Sequence, residues 1–196
     1  MVNRIAVLVV LALALALPLA AFASSSIDVA NAGGLISGNS SGLSLTGSTL
    51  VKVGGIEGSN LGSLSFTTGV FTSGDAQMGG TLAAGGTFTI TGNGSDGVPN
   101  GVIFSGTFSS GTWELVTLAD GTHNYVLIAG LVDAGGHLGA TAQLTFNTGK
   151  GFFDGSATLS SGDTNLMVPE PGTLTLLGTG LVGVGLIRRK LLSSLR

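Results

Sequence analysis

Residues 138–147 alternate with a period of two: Leu138, Ala140, Ala142, Leu144 and Phe146 against Gly139, Thr141, Gln143, Thr145 and Asn147. Successive side chains of a strand point to opposite faces, so this segment has one apolar and one polar face. A helix could not sort the two sets. Thr87-Phe88-Thr89-Ile90-Thr91 repeats the pattern, with Phe88 and Ile90 opposed to three threonines. Shorter alternations occur at Leu43–Leu45, Leu50–Val53 and Leu64–Phe66. Further strands are expected at Val102–Phe108, Thr112–Leu118 and Asn124–Val132, and Phe152-Phe153 with Ala157–Leu159 adds a last one. In the Asn124–Val132 segment, consecutive Val126, Leu127 and Ile128 suggest burial on both faces. No segment between residues 24 and 167 combines a 3.6-residue apolar stripe with helix caps.

Glycine supplies the breaks between these strands. The chain has 35 glycines without a Gly-X-Y period, which excludes collagen. Turn clusters such as Gly92–Gly101 separate the apolar runs. Many short strands joined by Gly, Asn, Asp and Ser turns predict an all-β domain, an antiparallel β-sandwich or jelly roll. A β-solenoid is the next choice, but its fixed-period repeat is missing.

The two ends of the chain read as addresses. Arg4 precedes an unbroken apolar run from Ile5 to Leu17, and Pro18 ends it. Ala21-Phe22-Ala23 then offers small residues on either side of Phe22, so residues 1–23 read as a signal peptide cleaved between Ala23 and Ser24. At the other end, Thr173–Ile187 carries no charge and is followed by Arg188, Arg189 and Lys190. That apolar run reads as a short transmembrane helix, and the three cations read as a stop-transfer signal held on the cytoplasmic side. Residues 188–196 would form a basic cytoplasmic tail, leaving residues 24–167 as the folded domain.

Val168, Pro169, Glu170 and Pro171 precede the run. Each proline fixes its own φ, lacks an N–H and biases the residue before it away from helix. Glu170 is therefore expected in an extended segment that a protease can grip. The Pro-Glu-Pro element, the Gly-rich apolar run and the basic cluster, in that order, resemble the PEP-CTERM sorting signal of Gram-negative bacteria. The resemblance covers about residues 168–192. It implies that an exosortase, a membrane-embedded cysteine protease-transpeptidase, recognises and processes the tail. It also implies an association with exopolysaccharide or biofilm matrix.

Charge narrows the role of the domain. Between residues 24 and 167, Lys52 and Lys150 stand against nine acids, a net charge of −7. Nucleic-acid binding requires a basic footprint, and this domain has none. The chain has no cysteine, hence no disulfide, thiol nucleophile or thiolate metal site. His123 and His137 would need Asp120 or Asp133 to complete a metal site, and both read instead as turn residues. Asn93-Gly94-Ser95-Asp96-Gly97 places oxygens at alternate positions but has one carboxylate and lacks the distal Glu of a calcium loop. No Gly-x-x-x-x-Gly-Lys-Ser/Thr phosphate-binding loop is present. We therefore expect no catalytic residue, cofactor or metal.

The leading expectation is an exported structural protein of the cell surface or extracellular matrix, tethered in the inner membrane before processing. One alternative is a carbohydrate-binding module that stacks sugars on Trp113 and Tyr125, which requires both rings to be exposed. The other is a plainly anchored exported protein. Cleavage after Ala23 has a direct check: N-terminal sequencing of the exported chain should begin at Ser24, and a chain still carrying Met1 would rule out the signal peptide.

Overall fold

The computed structural model describes residues 25–168. The expected signal peptide, transmembrane helix and basic tail lie outside them. Twelve strands follow in order: β1 (Ser25–Ala32), β2 (Leu35–Asn39), β3 (Gly42–Val53), β4 (Ile56–Glu57), β5 (Gly62–Thr68), β6 (Phe71–Asp75), β7 (Gly79–Leu82), β8 (Gly85–Asn93), β9 (Asn100–Thr117), β10 (His123–Asp133), β11 (Leu138–Gly149) and β12 (Ser156–Val168).

The strands do not form two sheets. Each of β3, β5, β8, β9, β10 and β11 pairs antiparallel with its predecessor and successor in the ring, and β12 returns to lie against β1 and β2. β1 and β2 share the place between β12 and β3, so together they count as one strand of an eight-stranded up-and-down barrel. The expected sandwich or jelly roll is thus corrected, and no solenoid forms. An inward-apolar, outward-polar alternation serves a sandwich and a closed barrel equally well. What decides closure is the pairing of the first and last strands, which no local pattern encodes.

Other expectations shift with closure. The segments expected at Val102–Phe108 and Thr112–Leu118 form, up to Thr117, one long strand, β9, whose first half pairs with β8 and second half with β7. Val126 and Ile128 face outward from β10, and Ile128 is 45% exposed, so this strand is buried on one face only. Phe152 and Phe153 lie in the loop before β12.

The barrel interior holds the core. Leu43, Leu45, Leu64, Phe66, Phe88, Ile90, Leu127, Leu131, Leu144 and Phe146 are all buried there. Phe66 stacks on Phe88 with centroids 6.0 Å apart, and Phe108 meets both edge-on at 5.6 and 5.7 Å. Burying each such side chain contributes roughly 1.5–3 kcal/mol, so alternate positions on eight strands supply the main stabilising term.

Two glycine sites are required by close approach. Gly34, at φ +88°, lies where the first strand bends between β1 and β2, and a Cβ there would sit 2.6 Å from Ser48 N. Gly162 points into the barrel on β12, where a Cβ would lie 2.3 Å from Asn31 Oδ1 and 2.8 Å from Leu144 Cδ2. Asn31 is buried and fixed by donating from Nδ2 to Ser48 Oγ at 2.7 Å, so it cannot swing aside without losing that bond. Gly162→Ala should therefore destabilise the barrel by about 1–3 kcal/mol, the usual cost of overpacking. A thermal melt of the variant matching wild type would show that the interior yields at this point.

Candidate functional site

The barrel has two unlike ends. One carries the start of β1, the end of β12 and the β8–β9 and β10–β11 turns. The other carries the β2–β3 turn, the β9–β10 turn and the β11–β12 loop, and this mouth is capped. β5 and β8 continue past it as β6 and β7, a hairpin whose tip folds over the opening. Ala76 at the tip is buried. Beneath it lie Trp113 and Tyr125, stacked with centroids 5.1 Å apart, together with Phe146 and Phe153. Trp113 Nε1–H donates to Ala76 O at 2.8 Å, and the Tyr125 hydroxyl donates to Gln77 O at 2.5 Å. Tyr125 also accepts from Phe153 N–H at 2.9 Å, joining the β11–β12 loop to the same plug.

Trp113 is 1% exposed and Tyr125 is fully buried, so neither ring offers a platform to a sugar. Beside the plug run two shallow, connected hollows of about 340 and 440 Å³. They share Gly38, Asn39 and Gly155, and one reaches Asp75, Gln77 and Asp154. Their polar groups are partly committed: Asn39 Oδ1 accepts from Ser41 N–H, and Asp75 Oδ1 accepts from Gln77 and Met78 N–H. Phe153 is the one aromatic among their lining residues, and it is buried.

The histidines do not meet. His123 opens β10 and is buried, its Nδ1 3.0 Å from Thr117 Oγ1 and its ring stacked on Phe152 at 4.4 Å. His137 lies in the turn beyond the far end of the same strand, where Asp133 accepts its backbone N–H at 2.9 Å. That hydrogen bond holds the Asp133 carboxyl below its ordinary pKa. β10 has 11 residues, which at ~3.4 Å per residue keeps the two imidazoles tens of ångströms apart. Among the described residues, no three His, Asp or Glu side chains are grouped to hold a metal ion. In the Asn93–Gly97 turn, Asn93 Oδ1 faces its own turn and accepts from Ser95 N–H at 3.0 Å, while Nδ2 donates to Asn60 O at 2.8 Å.

The outer wall is the most regular polar surface. Ser63, Ser65 and Thr67 on β5 stand opposite Thr91, Thr89 and Thr87 on β8. β3 adds Ser44 beside Thr67 and Thr49 beside Ser63, and β9 adds Ser105 beside Thr89. These nine hydroxyls form rows about 4.8 Å apart across strands and ~6.8 Å along them, without a charged side chain between. Thr67 and Thr87 hydrogen-bond each other at 3.1 Å. Sequence reasoning read these residues only as the solvent side of strands. Their alternation was visible, but the registers that align them were not.

One charged cluster lies on the outside of β12, β1 and β3. Lys52 Nζ donates to Asp28 Oδ2 at 2.7 Å, and Asp163 faces Asp28 from the next strand. Lys52 holds Asp28 below the ordinary carboxylate range, while hydrogen bonding to Asp28, aided by partial burial, raises Asp163. Of the two carboxyls, Asp163 is the one that takes up a proton first as pH falls.

The expected sorting residues Pro169, Glu170 and Pro171, stop-transfer residues Arg188, Arg189 and Lys190, and cleavage residues Ala21, Ala23 and Ser24 lie outside the described residues; Val168 ends β12. Residues 168–190 match the model of the PEP-CTERM protein-sorting motif. The tail is a PEP-CTERM sorting signal. The chain is accordingly an exosortase-targeted exported protein whose C-terminus is anchored in the membrane before processing. No curated protein and no solved structure matches it.

The Asp28–Asp163 pair gives a testable pH dependence. Because the folded state raises the Asp163 pKa, its contribution is present below the unfolded carboxylate value and is lost as pH rises through the folded one. Asp28, which is depressed, contributes in the opposite sense: present above the unfolded value, lost as pH falls through the folded one. Asp163→Asn should raise the melting temperature slightly at pH 7, where it removes a charge beside Asp28. The gain should vanish near pH 4 and below, where Asp163 is protonated, about the ordinary carboxylate range. A variant whose advantage is the same at both pH values would contradict the coupling of the two carboxyls.

Proposed function

We propose that the protein is a non-enzymatic structural component of the cell surface or extracellular matrix, released or attached there after exosortase processing and associated with exopolysaccharide. The observation that carries this reading is the uncharged hydroxyl wall on β3, β5, β8 and β9. Hydroxyls held in register can exchange hydrogen bonds with a neutral polysaccharide while keeping a wall soluble that has no charges of its own. A barrel made for spanning a bilayer would need an apolar band on this face instead. The carbohydrate-module alternative loses its aromatic platform to the plug, where Trp113 and Tyr125 are buried.

The reading has two parts, and one experiment separates them. In a host carrying the exosortase, wild type should be shortened and leave the membrane fraction. Pro169→Ala with Pro171→Ala should remain full-length there, because the helix can then extend back through Glu170 and bury the bonds the protease must reach. Deleting Arg188, Arg189 and Lys190 should instead mislocalise the chain by removing its stop-transfer charge. If wild type stays full-length in membranes with or without the exosortase, the tail acts as an anchor alone. For the matrix role, processed protein should co-sediment with the extracellular polysaccharide of the host. Replacing Thr67, Thr87 and Thr89 by Val should lower that several-fold while leaving the melt almost unchanged, as expected for exposed positions. Wild type that stays in the supernatant would remove the polysaccharide from the reading.

A further inference from the structure

β12 differs from every other strand of the barrel in where it sits and in what holds it. It is the strand that closes the ring, and it ends at Val168, the residue at which the sorting motif begins. No spacer separates the folded wall from the segment that the exosortase must take. A protease that reads an extended peptide needs several residues free on both sides of the bond it attacks.

We propose that β12 is a latch: its C-terminal half detaches from the barrel and supplies the reach that the missing spacer does not. This rests on exosortase processing of the tail. The inward face of β12 is suited to release. Beyond Leu159 it presents Gly162 and Thr164 before Leu166, whereas β10 presents Tyr125, Leu127, Ala129 and Leu131 at the matching depth. Thr164 Oγ1 is buried and, among the described residues, has no hydrogen-bond partner; the same holds for Asn31 Oδ1, which lies against Gly162. A buried polar atom left unpaired weakens the packed state relative to the open one. On the outer face Asp163 is set beside Asp28, so the seam gains like-charge repulsion once both are ionised. The β11–β12 ladder shifts register between Thr145 and Phe146, opposite Ser161 and Leu159, which sets the C-terminal half of β12 off from the half before it. Backbone hydrogen bonds therefore hold this half-strand with little help from side chains.

The test locks the strand. Thr141 and Asn165 are directly paired on β11 and β12 and both are exposed, so Thr141→Cys with Asn165→Cys places a disulfide across the seam in a chain that has no other cysteine. In the exosortase host, the oxidised variant should stay full-length, and reductant should restore shortening. Inserting six Gly/Ser residues between Met167 and Val168 of the locked chain should also restore it. Locked chains shortened at the wild-type rate overturn the latch. Wild type that is never shortened overturns the reading of the tail instead, and the latch is then decided by hydrogen exchange on the full-length protein in detergent. There, the amides of Gly162–Leu166 should exchange roughly tenfold or more faster than those of Tyr125–Leu131. Equal protection on the two strands overturns the latch whatever the exosortase does.

Discussion

The barrel depends on the hydrogen-bonded contact between its last strand and its first. Until β12 lies against β1 and β2, the sheet has two free edges and its apolar face cannot close over itself. Every other pairing in the ring joins strands close in the chain, with at most a short strand or the β6–β7 hairpin between them, so its sequence separation is low. The closing contact joins residues more than a hundred positions apart, as Ser156 pairs with Ser37. It is the one place where chain entropy must be overcome by a long-range pairing. Two buried polar side chains, Asn31 and Thr164, lie on the inside near this contact, and Asp28, Lys52 and Asp163 cluster outside it.

Much of the fold can be read from single segments, because alternation of apolar and polar residues is a local property. Ala140–Asn147 and Thr87–Thr91 fall within β11 and β8 with the faces expected from the sequence. The misreadings share a cause. Val126-Leu127-Ile128 suggested two buried faces, yet Ile128 contributes an apolar side chain to the outer wall. The gap left between Val102–Phe108 and Thr112–Leu118 spans the point where β9 changes partner from β8 to β7. Neither partner exchange nor closure leaves a mark in any short window of sequence.

The candidate site divides in the same way. The sorting tail is a linear signal, so its residues and its order suffice to recognise it. The hydroxyl wall and the plugged mouth are products of register. Trp113 and Tyr125 are twelve residues apart in the chain and meet because Leu127 pairs with Trp113 and Tyr125 with Leu115, which puts the two rings side by side on one face. A reader of the sequence could ask whether these rings are exposed but could not answer, since burial depends on the β6–β7 hairpin folding over them from residues 76 and 77.

That arrangement makes the capped mouth the chromophore of the molecule. The chain contains one tryptophan and one tyrosine, and both are in the same stacked cluster under the hairpin tip. Intrinsic fluorescence and near-ultraviolet dichroism therefore record the state of this mouth, while far-ultraviolet dichroism records the ladders of the whole wall. An optical melt by one method and a melt by the other examine different parts of one barrel, and their coincidence or separation measures how tightly the cap and the wall are coupled.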